Sequence, residues 1–179
     1  AIVMVTALAR FFRISLSKGK NVITVRDELE HARNYLTIQN IPYKNKFTYD
    51  IKSEEETLNL TSIKLIIQPL IENAIYHGME YMSGDGDILV KSYIKNSELY
   101  IDIIDNGLGM PQEVADKLLT NESNSQKKGS GIGLRNVHER IQLYFGKDYG
   151  LQIYSEPDEG TTIRVHMPCI DFYSIKENK

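Results

Sequence analysis

Several things are scarce in this sequence, and each scarcity removes a class of protein. Among 179 residues there is one cysteine, Cys169, so no internal disulfide can form and the chain suits a reducing compartment. Positive charge is not in surplus: 21 Lys and Arg stand against 24 Asp and Glu, a formal net charge of −3. That argues against a nucleic-acid partner, which needs a basic footprint. Long apolar runs are missing too. Residues 1–9 are apolar, but no basic residue precedes them, and Arg10 and Arg13 follow at once. This fits neither a signal peptide nor a membrane span. No methionine opens the chain, so a fragment of a longer protein is expected, with its first helix severed. What is there, 41% hydrophobic and 25% charged residues, is the composition of one globular domain large enough for a proper core.

Leu8, Phe11, Phe12 and Leu16 have core-like spacing for a helix over 4–17. Thr24 reads as an N-cap, with Asp27 and Glu28 in the first turn, where the helix dipole favours anions. That helix carries Leu29, Ala32, Tyr35, Leu36 and Gln39 and stops before Pro42. Residues 47–51 alternate as a strand, and 53–56 form a charged, solvated loop. The stretch 65–78 is the centre of the pattern. Ile63, Ile66, Ile67, Leu70, Ile71, Ala74 and Ile75 fall on one broad helix face suited to packing on a sheet. Asn73 lies at the edge of that face, with His77 one turn later on the same side, while Glu72 is expected to point roughly the other way. Residues 88–94 and 99–104 read as a hairpin, 111–119 as a short helix, 120–130 as a polar segment, 132–144 as a helix, and 151–155 and 161–167 as closing strands. Nothing after Pro168 carries a pattern. The order predicts an α+β (α/β sandwich) fold, a mixed sheet covered by one helical layer.

Two glycine-rich stretches carry the chemistry. Asp105-Asn106-Gly107-Leu108-Gly109-Met110 follows a strand, so Asp105 stands where a carboxylate can accept hydrogen bonds from a ligand over the sheet, and the glycines let the backbone come close. Gly129-Ser130-Gly131-Ile132-Gly133-Leu134 opens a helix, whose free N–H groups make an anion site. Either could serve a plain turn or plain packing. The second does not follow a strand and lacks an acidic residue at dinucleotide spacing, which argues against a Rossmann site. A polar edge on an apolar helix, an Asp-glycine strand end and a glycine-rich helix start are much more specific as a set.

That set resembles the GHKL (Bergerat-fold) ATP-binding domain, and within it the catalytic domain of LytS/YesM-type sensor histidine kinases. Residues 72–78, preceded by Leu65-x-x-Gln68-Pro69-Leu70, resemble the N box. Asp105 to Met110 resembles the D-x-G-x-G box, Gly129 to Leu134 the second glycine box, and Gly160-Thr161-Thr162 a late Gly-Thr element. Residues 29–39 resemble the helix that precedes the domain in these kinases. The resemblance implies ATP and Mg²⁺ as cofactors. Asn73 would ligate the metal, Asp105 would accept the adenine amine, and Gly107, Gly109 and Met110 would line base and ribose. Gly129, Gly131, Ile132, Gly133 and Leu134 would meet the phosphates, with Thr161 and Thr162 also at the nucleotide. Glu72 would be the base, and His77 would line the pocket or orient a phosphate. Residues 111–130 would form a lid from which Lys127 or Lys128 reaches the γ-phosphate.

The resemblance also divides the chain into dimerisation or linker helices (1–40), the ATP-binding domain (41–170) and a tail (171–179). It implies a cytoplasmic domain of a dimeric membrane protein with a response regulator as partner. The sequence departs from the family in two places. The Asn-Pro-His-Phe context of the phosphoacceptor is missing around His31, His77, His138 and His166, so the acceptor histidine is expected outside this chain. Tyr76 stands where related kinases often carry a basic residue. Two alternatives share the fold: a clamp ATPase of the gyrase, MutL or Hsp90 kind, and a serine kinase of the anti-sigma-factor type.

Overall fold

The computed structural model describes residues 2–16, 21–41, 47–79, 82–120 and 131–174. Two helices come first. Helix α1 (Ile2–Ser15) packs along α2 (Val25–Asn40). Thr24 is the N-cap of α2, its Oγ1 accepting the Asp27 N–H at 3.1 Å. Phe11 faces α2 and stacks on His31 with ring centroids 4.5 Å apart. Phe12 and Leu16, expected in the core, are 51% and 72% exposed. Among the described elements α1 packs chiefly along α2, so one stripe suffices to cover that contact.

Just before α2, the short strand β1 (Val22–Thr24) pairs antiparallel with β3 (Thr61–Ile63). The main sheet has five strands in the order β2-β4-β5-β7-β6. These are β2 (Phe47–Ser53), β4 (Gly86–Lys95), β5 (Glu98–Asp105), β7 (Gly160–Pro168) and β6 (Gly150–Glu156), all antiparallel neighbours except β2 with β4. The β4–β5 hairpin turns on Asn96 and Ser97, both at positive φ, which matches the twist of the strands they join. The 53–56 segment is less free than expected, since Glu54 accepts the Ile94 N–H at 3.0 Å.

Helices α2, α3 (Ile67–Asn73) and α5 (Ile132–Phe145) cover one face of this sheet, the predicted single layer. Alternate residues Leu99, Ile101 and Ile103 of β5, with Ile163, Val165 and Met167 of β7, meet Leu70, Ile71, Ala74 and Ile141 in one core. The other face carries the bidentate Arg164–Asp102 pair, at 2.8 and 2.9 Å, with the Tyr93 hydroxyl donating to Asp102 at 3.1 Å. Helix α4 (Gln112–Lys117) lies against β6. The tail is not patternless: Asp171 bridges to Leu60.

The central helix differs from expectation at both ends. It starts two residues late, at Ile67, because Leu65 takes φ 61° and breaks the helical run. After Asn73 it widens into a π turn over Ala74–Gly78.

Candidate functional site

Pro69, Glu72, Asn73 and Tyr76 stand at i, i+3, i+4 and i+7 on the helix, the stripe next to its apolar face. With His77 they look across at Gly131, Gly133 and Leu134 of the α5 start, enclosing a cavity of about 140 Å³. Glu72 therefore does not point away from Asn73. Adjacent residues differ by about 100° around a helix, and a cavity spanning that arc takes both side chains. Glu72 accepts from Gln68 Nε2 at 2.9 Å, and the hydroxyl of Tyr35 on α2 reaches it as well. Burial, then that carboxylate, raise the Tyr35 phenol above its ordinary range. The Asn73 amide has no hydrogen-bond partner among the described residues. Gly131, at φ 104°, turns the chain into α5, whose first N–H groups have no carbonyl partner within the helix.

Asp105 is nearly buried at the end of β5, on the helix side of the sheet. Its Oδ1 accepts the Gly107 N–H at 2.9 Å. Burial pushes its carboxyl up to about 6, against the pull of the Gly107 and Thr161 N–H groups. The surroundings are filled with backbone. A Cβ on Gly107 would run into the backbone of Gly78, and one on Gly78 would come within 2.8 Å of Asp105 Oδ1. Gly109, at φ 59°, sits against the carbonyls of Glu156 and Gly160. Ser155 ties this end together: its Oγ accepts the Met110 N–H at 2.9 Å, donates to the Gly160 carbonyl at 3.0 Å and meets Thr161 Oγ1 at 2.8 Å. Gln112 of α4 accepts the Ser155 N–H at 2.9 Å and donates to the Ile153 carbonyl at 2.7 Å.

The structure thus gathers Glu72, Asn73, His77, Gly131, Gly133 and Leu134 at one cavity, and Asp105, Gly107, Gly109, Met110 and Thr161 at a second cluster. Gly78, the residue after His77, joins the two. Thr162, on the outer side of the sheet, lines a separate hollow of about 310 Å³ together with Asp105, Gln112, Ser155 and Thr161, and Ile132 stands between Gly131 and Gly133 with its side chain 58% exposed. Lys127, Lys128 and Gly129 lie outside the described residues, as does the 121–130 part of the expected lid. Sequence reasoning missed Tyr35, Gly78, Gln112 and Ser155. Gly78 had a signal, a glycine closing the central helix; the others act through contacts distant in sequence. His31 is fully buried, accepts or donates at Ser15 Oγ over 3.1 Å, and is lowered by burial to about 4, which removes it as an exposed phosphate acceptor.

The residues fit a nucleotide with a hard cation. An unpartnered amide oxygen beside a carboxylate suits a metal that keeps waters and phosphate oxygens as its other ligands. Among the described residues no group of three or more His, Cys, Asp or Glu could hold a metal alone. None of the described helices is long and apolar enough to cross a membrane.

Known proteins resemble the chain in sequence and in fold. Residues 59–170 match the family described as histidine kinase-, DNA gyrase B-, and HSP90-like ATPase. Residues 1–47 match a second family, described as histidine kinase. The sensor histidine kinase YesM of Bacillus subtilis (strain 168) is 32% identical over 166 residues, covering 93% of this chain and 27% of that protein. The sensor protein kinase HptS of Staphylococcus aureus (strain USA300) is 30% identical over 165 residues, covering 92% and 32%. The chain spans about a third of the length of these relatives or less. In fold it is similar to the histidine kinase domain of the Erythrobacter litoralis blue-light activated histidine kinase, with a TM-score of 0.60 at 15% identity over 99% of this chain and 78% of that one. The catalytic domain of the histidine kinase ThkA gives 0.61 at 15% identity over 84% and 95%.

Proposed function

Since this chain belongs to the histidine kinase-, DNA gyrase B-, and HSP90-like ATPase family, we propose that it is the part of a sensor histidine kinase that binds Mg·ATP and delivers the γ-phosphate to a histidine outside the chain. The observation that carries this reading is the cavity in which Glu72 and Asn73 face the glycine-opened start of α5. Magnesium, when bound, supplies charge neutralisation between the phosphates. The chain's own groups do the rest. Asn73 holds the metal through its amide oxygen. Asp105 accepts the adenine amine, while Gly107, Gly109 and Met110 line base and ribose. Backbone N–H groups at Gly131, Ile132, Gly133 and Leu134 meet the phosphates, with Gly129, Lys127 and Lys128 beside them. Glu72 takes the proton of the attacking imidazole, and His77 orients a phosphate. Thr161 braces Asp105 through the sheet.

On the same reading, residues 1–40 are the end of the dimerisation helices, 41–170 the ATP-binding domain and 171–179 a tail. The parent is a dimeric protein of the bacterial cell membrane with this domain on its cytoplasmic side, and a response regulator receives the phosphate in a phosphorelay. The acceptor histidine lies in another part of the same parent protein.

The test is phosphotransfer at saturating Mg·ATP to an acceptor segment supplied in trans. Glu72→Gln keeps the side-chain shape and removes the base, so transfer should fall by about 10²–10⁴-fold while Mg·ATP binding persists. Asn73→Ala should weaken Mg·ATP binding and leave metal-free nucleotide binding nearly unchanged. Transfer at the unmutated rate by Glu72→Gln would remove the base from this scheme.

A further inference from the structure

We propose that Glu28 and Tyr35 of α2 are positioning residues for Glu72, so that the seating of α2 on α3 sets the rate of phosphotransfer without setting nucleotide affinity. This rests on the kinase reading above.

The first contact is at the start of α3. The Glu28 carboxylate is fully buried and accepts three backbone N–H groups, those of Leu65 at 3.0 Å, Ile66 at 2.8 Å and Ile67 at 2.9 Å. These donors have no partner within α3, and no side chain of the helix caps them. Glu28 therefore does for α3 what a local N-cap residue does elsewhere, from a point 37 to 39 residues away. Burial pushes its carboxyl up, while the three N–H bonds and Arg140 pull it back. Arg140 of α5 donates to the carbonyls of Lys64 at 2.7 Å and Leu65 at 3.4 Å, and Lys64 Nζ donates to the Ser15 carbonyl at 2.9 Å. Helices α1, α2, α3 and α5 are thus tied at the single turn 64–67, where Leu65 holds a φ of 61° that bulky residues rarely adopt.

The second contact lies two turns further along α2. Tyr35 is 6% exposed, and its hydroxyl reaches Glu72 and Tyr76. With one grip on the first turn of α3 and one on Glu72, α2 fixes both the rotation and the slide of the helix that bears the base. Neither Glu28 nor Tyr35 lines the cavity of Asn73, Gly131 and Gly133. Asn73 shares that helix, so the contact that touches the base without touching the metal ligand is that of Tyr35: losing it frees Glu72 while leaving Asn73, Gly131 and Gly133 in place.

The experiment compares Tyr35→Phe, Glu28→Gln and Glu72→Gln in the full chain, with the acceptor segment in trans and labelled Mg·ATP. Tyr35→Phe should lower kcat about 10- to 100-fold with KM for ATP within about two-fold of the unmutated chain, the signature of a misplaced group rather than lost binding. Glu28→Gln puts an amide N–H against N–H donors. It should lower kcat likewise and speed hydrogen exchange at Ile66 and Ile67. If Glu28→Gln does not fold, Tyr35→Phe decides. Unchanged kcat in Tyr35→Phe beside a dead Glu72→Gln would overturn the positioning role and leave the kinase reading standing. A rise in KM with kcat unchanged would overturn it too, by making α2 a determinant of binding. Normal transfer by Glu72→Gln would overturn both.

Discussion

The two ends of the site use glycine for opposite reasons. At the Asp105 end, a Cβ on Gly107, Gly109 or Gly160 would collide with backbone: of Gly78, of Glu156, and of Asp105. Glycine there is what lets three segments of main chain touch, and it is a condition of folding. At the α5 end there is room. A Cβ on Gly133 would meet only Pro69 Cβ at 3.8 Å, an ordinary contact. Glycine is not needed for packing at that position, so what it preserves is the emptiness of the cavity. One end is closed on itself and the other is held open.

The strongest way to break that contrast is Gly109→Ala. It places a side chain at positive φ against two carbonyls, and should destabilise the fold by about 3 kcal/mol or more, read as a lower midpoint in urea unfolding. A stability within error of the unmutated chain would mean the Asp105 end is not the rigid one. Asp105→Asn comes next. It keeps the packing but removes a charged acceptor worth about 1.5–3 kcal/mol, so ATP affinity in calorimetry should fall about 10- to 150-fold. Equal affinity of the unmutated chain for ATP and GTP would strip Asp105 of its role with the base. Gly133→Ala sharpens the contrast from the other side. As a helical alanine it should leave stability unchanged or raise it by about 0.5–1 kcal/mol, yet lower nucleotide affinity about ten-fold by filling the cavity.

The smallest effect is that of pH. Burial raises the Asp105 carboxyl from 3.8 to about 6, so the folded state holds its proton more tightly than the unfolded one. The stability this contributes is complete below about pH 4 and is lost as pH rises through about 6. Nucleotide binding should run the other way, strengthening several-fold from pH 5 to 7, because the carboxylate is the form that accepts from the base. Unfolding and titration of the unmutated chain and Asp105→Asn across that range should show the two opposed trends in the first and neither in the second.

Much of this was legible from local pattern. The hairpin over 88–104 alternates cleanly and appears near its expected bounds. The central helix keeps Ile67, Leu70, Ile71, Ala74 and Ile75 buried on one face but begins only at Ile67, with the expected Ile63 in β3 instead. The grouping of Asn73, Gly131 and Gly133 followed from the motif set. What stayed hidden depends on distance in sequence or on departures from an ideal period. Strands β1 and β3 are three residues each, too short to alternate visibly. Glu28 looked like an ordinary first-turn acid because nothing near it in sequence announces that it serves another helix. Glu72 was misdirected by treating one residue step around the helix as if it were a half turn. The tie of Ser155 to Met110 and Gly160 exists only once β6 and β7 have paired.

Asp105 and Thr161 are register partners on adjacent antiparallel strands. The chain leaves the sheet after Asp105 and returns to it at β6, Gly150–Glu156, so 106–149 is an excursion whose two ends are fastened by strands of one sheet. For such a segment the entropic cost of extra length grows slowly, about 0.6 kcal/mol for each doubling. That low cost applies only to chain that is not packed: Ala115 of α4 and Leu134, Val137 and Ile141 of α5 are buried in the core, and Gly109 and Met110 sit against Glu156 and Ser155. Both helices of the excursion are therefore fixed by packing, and added length is tolerated only where it leaves α4, α5 and the strand ends in place.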